Sequence, residues 1–119
     1  MNSNNSSHTV NEHFENREPQ VKATYDAILN AAKKLGPVKE EAKKTSIHLV
    51  RKSAFAGVAT RKTALILTLK SDSDFASKRI ARREQASAHR WYLEIKLETP
   101  EQVDREILVW LKKAYELAG

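Results

Sequence analysis

Two changes of hydrophobic period constrain what this chain can fold into. Between residues 19 and 35 the apolar side chains lie three and four apart. Val21, Tyr25, Ile28, Leu29, Ala32 and Leu35 fall on one helical stripe. From Thr45 the spacing drops to two. It becomes helical again at Val103, where Val103, Ile107, Trp110, Leu111, Ala114 and Leu117 or Ala118 form a second stripe. A striped helix and a one-sided strand must each bury an apolar side against something. The order helix, strands, helix is satisfied most economically by an antiparallel sheet of about five strands, with the N-terminal and C-terminal helices packed on one face. The fold class is therefore α+β, and the other sheet face has no cover from this chain.

Local signals mark the boundaries. Pro19 suits a first helical turn, where its missing N–H costs nothing, and Gly36-Pro37 stops the helix. Lys39–Lys44 reads as a charged connection. Thr45–Arg51 alternates, with Ile47 and Leu49 on one side. Phe55–Ala59 is a short strand in which Gly57 marks a bulge or a close approach. Thr60-Arg61-Lys62 turns into Thr63–Lys70, the clearest strand, with Leu65, Leu67 and Leu69 inward. Residues 75–87 fit a short helix or an edge strand. A strand over Arg79–Gln85 is the better reading, because its arginines suit an unpaired edge. Arg90–Leu97 alternates again, with Trp91, Leu93, Ile95 and Leu97 inward. Thr99, Pro100 and Gln102 then read as N-cap, first helical residue and capping-box partner of the last helix.

Composition narrows the class. A chain of 119 residues can bury close to two-thirds of its unfolded surface, enough for a core without metal or disulfide staples. Residues 18–119 read as a single domain. Residues 1–17 read as a flexible tail or arm, since Asn2–Ser7 is only Asn and Ser, although Val10 and Phe14 could form one amphipathic turn. No cysteine is present, which removes thiol chemistry and thiolate metal sites. The start lacks the basic and apolar regions of a secretory leader, and the longest apolar run is Ala64–Leu67. A cytoplasmic protein without membrane contact is the expectation.

Charge is unevenly placed. Residues 38–96 carry 14 Lys/Arg against 6 Asp/Glu, whereas the flanking helical regions are neutral or acidic. Alternation puts His48, Val50, Ile66, Thr68, Lys70, Arg90, Tyr92, Glu94 and Lys96 on the open face, with Arg61, Lys62 and His89 at strand ends. Three uses fit such a surface. It could be a solvated face that keeps the domain soluble. It could form a homodimer, burying Val50, Ile66 and Tyr92 between two copies. It could bind an anion or nucleic acid, with Lys and Arg on phosphates and Tyr92 stacked on a base.

Catalytic signals are weak. There is no nucleophile elbow and no Gly-rich phosphate loop. His8 and His13 with Glu12 are nominal metal ligands, but a metal site needs a fixed surround, and none is expected in an arm. No catalytic residue, cofactor or metal is assigned. An enzyme remains the minority reading, which would need Glu84, His48 and His89 to converge in a pocket.

Several short motifs together resemble one family. They are His8-Thr9 with His13-Phe14, Gly36-Pro37-Val38, Lys44-Thr45-Ser46-Ile47, and Phe55-Ala56-Gly57-Val58 with Arg61-Lys62. The Leu65-x-Leu67 strand, Arg79-Ile80, Glu84-Gln85, and Trp110-Leu111 with Ala114-Tyr115 complete the set. In order and spacing, from about His8 to the end, the chain resembles the bacterial and archaeal family called domain of unknown function 5655. That resemblance implies a stand-alone domain or a neighbour of other uncharacterised domains, and no established activity. More distantly, the strand order with the final Ala-Tyr helix is similar in architecture to the MmcQ/YjbR-like proteins, for which DNA binding has been proposed. If the family's polar positions mark a site, Thr45, His48, Arg61, Lys62, His89 and Arg90 form one anion-binding cluster at one end of the open sheet. Lys70, Tyr92 and Lys96 extend it across the face.

Overall fold

The computed structural model describes residues 8–74 and 76–119. Helix α1 spans Pro19–Lys33 and buries the expected stripe plus Thr24. The Thr24 hydroxyl donates to Gln20 O at 2.6 Å, so a polar side chain is satisfied inside the helix. Leu35, expected as its last residue, lies beyond the helix but still packs against the core. Gly36 follows with φ 153°. A side chain there would overlap the Tyr115 hydroxyl, which donates to Pro37 O at 3.0 Å.

The sheet has six strands rather than five. β1 (Lys39–Ala42), β2 (Ile47–Val50), β3 (Ala54–Thr60), β4 (Leu65–Ser71), β5 (Ile80–Ser87) and β6 (Arg90–Leu97) lie in the order β1-β2-β3-β4-β6-β5. Every neighbouring pair is antiparallel. The additional strand is the Lys39–Lys44 stretch expected as a connection. Its Lys-Glu-Glu-Ala sequence lacks apolar alternation because it is an edge. Glu40 accepts from the Tyr25 hydroxyl at 2.5 Å. An inward-turned carboxylate of this kind discourages further strand addition. β5 forms the other edge and settles the ambiguity at residues 75–87 in favour of a strand; Phe75 lies outside the described residues.

Ile47, Leu49, Leu65, Leu67, Leu69, Leu93, Ile95 and Leu97 all turn to the helical side and are buried. Each buried aliphatic side chain is worth about 1.5–3 kcal/mol, so a one-residue slip of any of these strands would be prohibitive. The last helix begins later than Thr99 suggests. Pro100–Gln102 is a single 3-10 turn in which Gln102 Oε1 accepts from Thr99 N at 3.2 Å. Helix α2 proper spans Arg105–Leu117, capped by Asp104, whose Oδ1 accepts from Ile107 N at 3.3 Å. Val103 and Trp110 sit at the margin of the core. Tyr115, outside the expected stripe, is buried edge-on against Phe55 with ring centroids 5.2 Å apart.

Both ends of the helical layer are tied down. Ala118 O accepts from Lys52 N and Ser53 N, and the Arg51 guanidinium stacks 4.4 Å from the Tyr115 ring centroid. Asn11–Phe14 forms a 3-10 turn on the domain. Within it His13 Nε2 donates to Lys43 O at 2.8 Å, and the Thr60 hydroxyl donates to His13 O at 2.6 Å. Asn2–Ser7, expected as a tail, lie outside the described residues. No described helix is long and apolar enough to cross a membrane.

Candidate anion-binding site on the open sheet face

Strand register orders the face away from the helices into rows. One row runs from β1 to β5 through Glu41, His48, Gly57, Thr68, Glu94 and Arg82. In the next, Lys70 of β4 faces Tyr92 of β6, which faces Glu84 of β5. The outward positions of β3 are small: Ala54, Gly57 and Ala59. Side chains of β2 and β4, two strand spacings or roughly 10 Å apart, therefore face each other across an open trough. The trough holds about 300 Å³ and is walled by Ser46 and His48 on one side and by Thr68, Lys70 and Tyr92 on the other. Gly57 is not bulged; the register shift lies between Leu49 and Val50. A methyl group on Gly57 would sit 3.8 Å from His48 Cδ2 and 3.9 Å from Thr68 Cβ, so the floor has spare room.

Lys70 puts a cation at one end of the trough, and Arg90 lies next to it, outside the trough lining. Lys70 Nζ donates to Ser53 Oγ at 3.1 Å. Arg90 lies two residues before Tyr92 on β6 and points to the same face. Among the described residues neither Lys70 nor Arg90 has an acidic partner, and Arg90 Nη1 is buried with no hydrogen-bond acceptor. Burial, and then the neighbouring Arg90 charge, hold the Lys70 ammonium below the usual lysine range. A buried donor without an acceptor costs about 1–3 kcal/mol, more when charged. Two adjacent cations without a counter-charge offer the complement of an anionic group.

The nine expected site residues do not form one cluster. Register carries Thr45 to the β3–β4 end of the face, beside the Arg61-Lys62 turn and Lys96. Lys70, His89, Arg90 and Tyr92 lie at the other end, four residues along β4 from the partner of Lys96 and about six from the Arg61-Lys62 turn, or roughly 13–20 Å. His48 stands between, on the trough wall. Thr45 instead borders a polar cleft with Glu12, His13, Arg17 and Thr60. His89 is exposed in the β5–β6 turn.

Glu84, His48 and His89 do not converge, because three strands separate β5 from β2. The nominal metal ligands part company as well. His8 Nδ1 lies 3.1 Å from Glu12, while the His13 ring is used by Lys43 O. No group of three or more acidic or histidine side chains suited to a metal occurs among the described residues.

Sequence reasoning missed the trough itself and Ser53 as the partner of Lys70. The small outward residues of β3 were the available signal. Attention to apolar and charged positions passes over residues whose importance is that they are short.

The family model described as Domain of unknown function (DUF5655) matches residues 10–118. No curated protein and no solved structure gives a significant match.

Proposed function

We propose that this chain, which belongs to the DUF5655 family, is a binding domain that holds a small anionic ligand in the trough of its open sheet face. The anionic group lies at Arg90 and Lys70, and the body of the ligand runs over Gly57 towards His48. The buried, unpartnered Nη1 of Arg90 carries this reading, since an oxyanion supplies the acceptor that the fold leaves out. The trough beside it supports the same reading.

A homodimer through this face is less well supported. Among the described residues the exposed large hydrophobic side chains are Leu108 and Val109, both on α2 and not on the sheet. A two-fold contact centred near Tyr92 would also set the Lys70 and Arg90 pairs of two copies close together.

Thermal unfolding in rising inorganic phosphate, at constant ionic strength, tests the proposal. A ligand that binds only the folded state raises the midpoint in a saturable way. The wild type is expected to show that rise and Arg90→Met to lose it while staying folded. An equal rise in both proteins would mean a general salt effect and would remove the site.

A further inference from the structure

The helical layer has a second, independent surface. On α2, Arg105, Leu108, Val109 and Lys112 follow one another at intervals of three, one and three, which places them on one outward stripe. Leu108 is 41% and Val109 46% exposed. Together with Lys34 and Leu35, just past the end of α1, they border a groove of about 340 Å³. The centre of the groove is apolar and its rim is cationic. Among the described residues Lys34, Arg105 and Lys112 take part in no ion pair.

We propose that this groove docks an acidic amphipathic helix of a protein partner, its apolar side chains on Leu35, Leu108 and Val109 and its carboxylates on Lys34, Arg105 and Lys112. The stripe from Arg105 to Lys112 runs about 10 Å, so two to three turns of a partner helix cover it. Apolar anchors three and four apart are the usual way such a helix enters a groove. Charge selects the partner. A second copy in antiparallel two-fold contact, centred between Leu108 and Val109, would set Arg105 against Lys112 twice, like charge against like. A helix flanked by Asp and Glu meets the same three cations with opposite sign.

The full chain, isotope-labelled for NMR, is titrated with a synthetic amphipathic peptide of about fifteen residues, long enough to hold a helix. Leu occupies its apolar face and Glu its flanks; a matched peptide carries Lys in place of each Glu. The Glu peptide is expected to move the amide resonances of residues 31–35 and 105–112, and the Lys peptide is expected not to. Lys34→Glu combined with Lys112→Glu is expected to weaken binding by roughly tenfold or more. Leu108→Ser, an exposed substitution that keeps the circular dichroism of the wild type, is expected to weaken it too. Arg90→Met leaves peptide binding unchanged, which separates this surface from the sheet-face site. Equal binding of both peptides, shifts confined to other surfaces, or no shift with the Glu peptide would overturn the proposal. So would binding to phosphatidylglycerol vesicles without peptide binding, or a self-association that Leu108→Ser abolishes.

Discussion

At position 90 a guanidinium nitrogen is buried without an acceptor, and at position 70 an ammonium is held low by burial and by that guanidinium. The alkaline pH dependence of stability reads the second fact directly. A lysine whose folded pKa lies below its unfolded value binds fewer protons in the folded state. Stability therefore rises with pH in the interval up to the ordinary lysine value of about 10.4. Tyr25 acts in the opposite sense. Burial and its hydrogen bond to Glu40 push its phenol well up, so stability falls once the unfolded tyrosine ionises above about pH 10. Subtracting the urea-unfolding profile of Lys70→Met isolates the lysine. The wild type is expected to gain on the variant from neutral pH towards pH 10, whereas parallel profiles would mean that Lys70 feels no such environment. Gly57 makes a separate prediction. Its Cβ position is roomy, so Gly57→Ala is expected to stabilise the strand by about 0.5–1 kcal/mol. A lower urea midpoint would show that the trough floor is tighter than these distances allow.

Among the elements, β5 is an edge strand held mainly from one end. Only Ile80 of its eight residues is buried. Its start is clamped by Arg79, which donates through Nη1 to Asp104 Oδ1 at 2.7 Å and through Nη2 to Gln102 O at 2.6 Å. The Arg79 hydrogen bond, and then the Ile107 N–H, hold the Asp104 carboxyl below the usual range. This contribution is present above about pH 4 and is lost as pH falls further. Arg79→Ala is expected to speed amide exchange along β5 while β3 and β4 keep their protection. Unchanged exchange in β5 would mean that the β6 ladder alone holds the edge. The central strands and both helices were legible because their apolar residues repeat at two or at three and four. β1 was not, since an edge strand needs no such repeat. The true start of α2 was hidden by Thr99-Pro100, which caps a 3-10 turn while Asp104 caps the helix.

For the whole molecule, the decisive dimension is the length of β4. It separates Arg61 and Lys62 from Lys70 and Arg90 by roughly 20 Å. Truncating Arg61 and Lys62 to Ala is thus expected to leave the response to inorganic phosphate intact. Thermal unfolding in rising phosphate checks this, and a lost response in the double variant would place the anion at the wrong end. The sequence by itself determined the layers: period dictates which side chains must leave water, and burial then forces both helices onto one sheet face. It also determined which residues share the open face, because alternation is a local property of each strand. What only the tertiary structure decided is which of those residues meet. Strand order and register are settled by packing between segments distant in the chain. They put Lys70 beside Arg90, sent Arg61 to the far end, and left the short side chains of β3 as a trough between them.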